Sequence, residues 1–172
     1  MLLVIVSGLV VASIAYYIDR EILGSGKDLM NSVLFTSDKS VSWYTVLMRM
    51  AGPAIAFNTG AAAGIFAPSL AAGASVGALV SDIFNMAGAD ANILVLSGMV
   101  GFLTGVTRTP FTSAILVLEM TDRHSVIFHL MLAALLSSIA ALLVDKHSFY
   151  GQLKETYMQD AAGYRSTGKI NR

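Results

Sequence analysis

Gly64-Ile65-Phe66-Ala67-Pro68 decides how this chain of 172 residues is read. It lies inside a stretch, Met50 to Ser81, that contains no Asp, Glu, Lys or Arg. Glycine permits a tight backbone approach, and the proline after it fits a first helical turn, where its missing N–H costs nothing. The segment thus introduces a helix, predicted from Ser69 to about Phe84, and leaves the amides of Ile65 and Phe66 free ahead of it. Amides at a helix N-terminus carry about half a positive charge and form a ready anion site. Such a site holds an anion without burying a whole lysine or arginine charge, which would bind the ion too tightly to release it. Taken alone, the pentapeptide is read equally well as a Gly/Pro kink between packed helices.

The rest of the chain says that this break sits in a membrane. Hydrophobic residues make up 55% of the sequence and charged residues only 13%, too apolar a balance for a soluble domain. Met1 to Ile18, Ala91 to Thr107 and His124 to Val144 are also free of Asp, Glu, Lys and Arg, and these stretches reach or approach the roughly 20 residues that cross a hydrocarbon core. Met1 to Ile18 has no basic leading region and reads as a membrane helix rather than a secretory signal. The absence of cysteine excludes disulfides and thiolate metal sites, and a formal net charge of +0 offers no general attraction to nucleic acid. Lys146, Lys154, Arg165, Lys169 and Arg172, five of the eleven basic residues, lie at or beyond the last apolar run. The excess of positive charge there predicts a cytoplasmic C-terminus.

The predicted elements are short and interrupted. Gly24-Ser25-Gly26 makes a flexible turn before a short, mixed segment from Lys27 to Phe35 that is too short to span, Thr36 to Ser42 is loop, and Trp43 to Phe57 is an apolar helix with an aromatic pair at its edge and one embedded cation, Arg49. After the helix from Ser69, a loop over Asn85 to Asn92 leads to a span from Ile93 to Val106, and Thr107-Arg108-Thr109-Pro110 introduces a short helix from Phe111 to Met120. Thr121-Asp122 is placed as the N-cap of a last span, Ser125 to Val144. Non-helical backbone at membrane depth is tolerated only when buried in protein or lining a wet cavity, and paired half-helices point to a transport site. The fold class expected is an all-α polytopic membrane protein with interrupted half-helices, its membrane region covering residues 1–150 and a C-terminal helix and tail covering 151–172.

The neighbouring sequence narrows the reading. Gly64-Ile65-Phe66-Ala67-Pro68-Ser69-Leu70-Ala71-Ala72-Gly73-Ala74 resembles the Gly-x-Phe-x-Pro signature and following helix of the CLC chloride channels and chloride/proton antiporters. Gly98-Met99-Val100-Gly101, Thr107-Arg108-Thr109-Pro110-Phe111-Thr112 and Leu116-Val117-Leu118-Glu119-Met120-Thr121 resemble further family segments in the same order, and Tyr150 falls where the family has its pore tyrosine. The resemblance runs from Met1 to about Tyr157 and corresponds to the C-terminal half of the subunit, the second of two inverted repeats. It implies transport of chloride or a similar anion, with the ion held by the amides of Ile65 and Phe66, within Gly64 to Pro68, opposite the hydroxyl of Tyr150. A phenol donates one neutral hydrogen bond, which suits a reversible anion contact. It also implies a homodimer in the lipid bilayer, of the prokaryotic inner-membrane type, with no cofactor beyond the transported chloride.

Two departures from the family pattern stand out. Gly60-Ala61-Ala62-Ala63-Gly64 replaces a Gly-x-Pro-Gly-Gly approach. The Gly-Ser-Gly-x-Pro serine motif and the Gly-Arg/Lys-Glu-Gly-x-Pro gating motif of the first repeat do not occur in this sequence, so the N-terminal half of the subunit is expected as a partner. The alternative is a non-conducting membrane scaffold or assembly protein. No Ser/His/Asp or paired-carboxylate arrangement suggests an enzyme, and His124, His129 and His147 lack metal-site spacing. Glu119 and Arg108 are read as structural, pairing with each other or with backbone, and Gly73-x-x-x-Gly77 and Gly101-x-x-x-Gly105 as small-residue patterns for internal helix packing.

Overall fold

The computed structural model describes residues 24–36, 39, 41–58, 64–144 and 158. The expectations for a leading helix at Met1 to Ile18, for the alanine-rich approach at 59–63, for Tyr150 and for the charged tail fall outside those residues. Among the described residues all regular structure is helical: α1 (Lys27–Phe35), α2 (Trp43–Asn58), α3 (Phe66–Ile83), α4 (Gly88–Thr107), α5 (Pro110–Thr121), a single 3-10 turn (His124–Val126) and α6 (Ile127–Val144). Phe66–Ile83, Gly88–Thr107 and His124–Val144 are long and apolar enough to cross a membrane, and Pro110–Thr121 is a shorter apolar helix. The chain is an all-α, polytopic integral membrane protein.

The central contact is α3 against α4, and glycine sets its closeness. A Cβ added at Gly73 would collide with the carbonyl oxygen of Gly98 and come within 2.7 Å of Met99 Cα. One added at Gly77 would lie 2.5 Å from Leu94 O and 2.6 Å from Val95 Cα. Gly98 returns the contact from α4, facing Gly73 and Gly77. Helices in a membrane gain little from hydrophobic exclusion and associate by packing, so small residues that let backbones touch are what hold them. The second pattern is looser: Gly101 and Gly105 meet only Ser137 of α6, at 3.9 and 3.8 Å, and Ser137 Oγ donates to Gly101 O at 2.6 Å. Both patterns are internal, as the sequence reading had them.

Around this pair, α1 and α2 pack on α3, while α5 and α6 pack on α4 and on each other. Leu29, Val95, Leu96, Met99, Leu103 and Leu130 fill the core. Burial falls from centre to edge: 56% of the α3 span is buried against 11% of the α6 span. α3 is thus lined with small residues and enclosed, whereas α6 presents Phe128, Leu132, Leu136 and Leu143 outward.

Local chemistry corrects several boundaries. α3 starts at Phe66 rather than Ser69, so Pro68 lies at its third position, still inside the first turn. The helix ends at Ile83, with Asn85 left-handed (φ 51°), Met86 N–H donating to Ser81 O at 2.9 Å and Asn85 N–H to Asp82 O at 3.0 Å, the two bonds of a Schellman stop. Because that stop is compact, α4 begins at Gly88 and the expected loop over Asn85 to Asn92 shrinks to a few residues. Thr121-Asp122 does not cap the last span: Thr121 closes α5, its hydroxyl donating to Val117 O at 2.8 Å, and Asp122 is the left-handed C-cap (φ 49°). The 3-10 turn intervenes before α6.

Nor is the glycine turn before α1 loose. Gly26 is left-handed (φ 78°) and buried, and a Cβ there would collide with Ala71 and with the Arg49 guanidinium. Arg49, the embedded cation, is 5% exposed and donates from Nη1 to Gly24 O at 3.3 Å, tying α2 to the turn.

Candidate anion site

The five residues from Gly64 to Pro68 come together as the N-terminus of α3. Ile65 is its N-cap, with helical angles (φ −84°, ψ −27°), and the first helical bond runs from Ser69 N–H to Ile65 O at 3.2 Å. Helix geometry leaves the amides of the cap and first three positions without an intrahelical acceptor. Pro68 has no N–H, so three donors remain: Ile65, Phe66 and Ala67. The sequence reading named the first two and missed the third, which the helix start at Phe66 adds. No side chain caps this end, and the first turn contains no acidic residue. The partial positive charge of the α3 dipole is therefore not offset by a carboxylate in its own first turn.

The setting of the turn is half open. Ile65 is buried at 8% exposure and Ser69 at 1%, which anchors the turn on the α3 side. Gly64 is exposed and Phe66 is 45% exposed. A Cβ placed on Gly64 meets nothing within 4 Å among the described residues, and its φ is not positive. The tight backbone approach expected at Gly64 is therefore absent among the described residues. The close approaches that demand glycine occur instead at Gly26, Gly73, Gly77 and Gly98.

The other candidates separate from this turn. Arg108 is the left-handed C-cap of α4 (φ 60°), its N–H donating to Thr104 O at 2.8 Å, which fits the helix-end role read for it. Glu119 is exposed on α5 and forms no ion pair with Arg108, because Arg108 opens the loop before α5 whereas Glu119 lies near the far end of that helix. Thr107 and Thr109 bridge the α4–α5 corner through their hydroxyls at 2.8 Å, and Pro110 at the start of α5 has a missing N–H that the helix does not need.

The family model described as voltage gated chloride channel matches residues 1–142. Among curated proteins, the chain is similar to the H(+)/Cl(-) exchange transporter ClcA of Citrobacter koseri, 28% identical over 170 residues, covering 90% of this chain and 35% of the relative. The transporter of the same name from Vibrio parahaemolyticus is 30% identical over 139 residues, covering 77% of this chain and 30% of the relative. That of Klebsiella pneumoniae subsp. pneumoniae is 30% identical over 118 residues, covering 64% and 24%. The chain thus spans about a quarter to a third of the length of these relatives. With the match extending over most of the sequence and the α3 turn inside it, the chain belongs to the voltage gated chloride channel family.

Proposed function

We propose that this chain supplies one side of a transmembrane path for chloride or a similar anion. The observation that carries the reading is the N-terminus of α3, where the amides of Ile65, Phe66 and Ala67 have no helical acceptor and no side-chain cap, and the first turn has no acidic residue. Each amide is a weak donor, so the group attracts an anion and still lets it go. Tyr150 supplies a neutral hydroxyl from the opposite side. The exposure of Gly64 and Phe66 supports a path closed on that side by another segment. That segment is the N-terminal half of the subunit, bearing the Gly-Ser-Gly-x-Pro and Gly-Arg/Lys-Glu-Gly-x-Pro motifs, and the greater length of the relatives supports it.

Of the channel and exchange readings, the names of these relatives favour proton-coupled exchange. Membership in a transport family does not favour the scaffold alternative. The subunit pairs as a homodimer, for which the apolar outer face of α6 offers a surface, and lies in a prokaryotic inner membrane with residues 1–150 in the bilayer and 151–172 in the cytoplasm. The test is chloride efflux from liposomes containing this chain with and without the N-terminal half. No flux alone and flux with both halves supports the reading; flux from this chain alone would overturn the two-sided site.

A further inference from the structure

A second group of polar residues gathers at the opposite end of α3 from the anion turn. Lys39, in the loop after α1, donates from Nζ to Val33 O at 2.7 Å and to Asn92 Oδ1 at 2.5 Å, so it joins the C-terminal end of α1 to the first turns of α4. An ammonium has three N–H bonds, and one remains. Arg123, between α5 and the 3-10 turn, lies close enough to oppose the Lys39 charge. The Lys39 ammonium is held below its ordinary range first by burial and then by that guanidinium. Among the described residues neither cation is salt-bridged; the nearby carboxylate of Asp122 lies 3.3 Å from His124 Nε2 and is 94% exposed. Two cations that feel each other's charge, with no carboxylate bonded to either among the described residues, are an arrangement that an anion between them would relieve.

There is room for one. A cavity of about 270 Å³ is lined by Asn92, Arg123, Ser125 and His129, together with the apolar Leu96 and Val126. Arg123 and Asn92 also line the smaller cleft beside α1. Its level in the membrane follows from its neighbours. His129 is the third residue of α6, next to Phe128, which is 84% exposed. Trp43 opens α2 a few residues after Lys39, is 66% exposed and meets Tyr44 edge to face at 6.3 Å. Exposed Trp and Tyr mark the headgroup level, and basic pockets between membrane helices at that level suit anionic headgroups.

We propose that Arg123 and Lys39, with Asn92, Ser125 and His129, bind the phosphate group of an anionic lipid headgroup. The guanidinium presents a fork of donors to two phosphate oxygens, and the ammonium, hydroxyl and imidazole supply single donors around it. The acyl chains would run along the apolar surface that Phe128 begins.

Trp43 is the only tryptophan in the chain and follows Lys39 by four residues, so it serves as the fluorescent probe. The experiment reconstitutes the full chain in phosphatidylcholine vesicles and compares quenching of Trp43 by brominated phosphatidylglycerol and by brominated phosphatidylcholine. Each cation is worth a factor of about 5 at a charged membrane surface, reduced by the desolvation of Lys39, so a preference of roughly tenfold for phosphatidylglycerol is expected. It should vanish in a Lys39→Gln/Arg123→Gln variant and persist in Lys39→Arg/Arg123→Lys and in Lys27→Gln, at the other end of α1. Equal quenching by the two lipids in the native chain, or a preference retained in the double glutamine variant, would overturn the proposal. Loss of the preference on adding inorganic phosphate in millimolar excess would assign the site to a free oxyanion and overturn the lipid reading.

Discussion

Replacing Gly73 by alanine places a methyl group where there is no space. Its Cβ would lie 2.7 Å from Met99 Cα and 2.8 Å from Gly98 C, nearer still to Gly98 O, whereas carbon atoms settle at about 3.5 to 4.0 Å. All three neighbours are backbone of α4, so no rotamer change relieves the clash and the helices must part by about 1 Å. Overpacking of this kind costs about 1 to 3 kcal/mol, and a contact made only of backbone belongs at the upper end. Alanine recovers about 1 kcal/mol of helix propensity, leaving a net loss of about 2 kcal/mol. Gly101→Ala is the matched comparison: its nearest neighbour is Ser137 Cβ at 3.9 Å, so the propensity gain stands without a clash and the variant should be about 0.5 to 1 kcal/mol more stable than the native chain. The assay is SDS-driven unfolding in mixed micelles, followed by far-ultraviolet circular dichroism. Gly73→Ala as stable as the native chain, or Gly101→Ala as damaged as Gly73→Ala, would refute the idea that Gly73, Gly77 and Gly98 set the α3–α4 distance.

Three further outcomes follow from the same geometry. Gly64→Ala should leave stability within about 0.5 kcal/mol in the same assay, since its Cβ meets nothing among the described residues and its φ is not positive, so that any loss of chloride binding in this variant reports on the ion's approach rather than on folding. Tyr150→Phe should weaken chloride binding to the complete transporter by roughly 2- to 10-fold, the value of one neutral hydrogen bond, as read by equilibrium titration. Lys39 has a lowered pKa in the folded chain, so between that value and the unfolded value the unfolded state binds more protons and stability rises with pH. Stability measured at rising alkaline pH should therefore increase more in the native chain than in Lys39→Gln, and parallel pH profiles would show that Lys39 is not strained by burial and Arg123.

Much of this architecture was legible because membrane helices declare themselves by apolar runs without charge. The spans at Phe66–Ile83, Gly88–Thr107 and His124–Val144 follow from that signal, whereas Lys27–Phe35, which carries Lys27 and Asp28, is too mixed in pattern to declare its helix that way. The boundaries failed where a few backbone bonds decide. The Schellman stop at Asn85 shortened the loop before α4, and the left-handed Asp122 ended α5 where a capping pair had been expected to open α6. A hydrophobicity pattern carries no record of a left-handed residue other than glycine. The helix start proposed to hold the anion was legible as a helix start through Pro68 and Gly64, but its third free amide, Ala67, depends on where the helix begins. Gly26 and Gly98 were missed as packing residues because their partners, Ala71, Arg49, Gly73 and Gly77, are remote in sequence. The approach of Lys39 and Arg123 to Asn92 was missed for the same reason, since the three are brought together only once α1, α4 and α5 have assembled.

The central claim is that backbone amides at the start of α3 hold the anion, and replacing the amide of Phe66 by an ester tests it without altering any side chain. Incorporating the α-hydroxy acid corresponding to phenylalanine removes one N–H that the helix itself does not use, and chloride NMR line broadening by the micellar protein reads the binding. The account predicts that the ester at Phe66 weakens binding by roughly tenfold, the worth of one hydrogen bond to a charged partner, whereas an ester at Ala74, deep within α3, leaves it unchanged. Line broadening as strong with the Phe66 ester as with the native amide would contradict it.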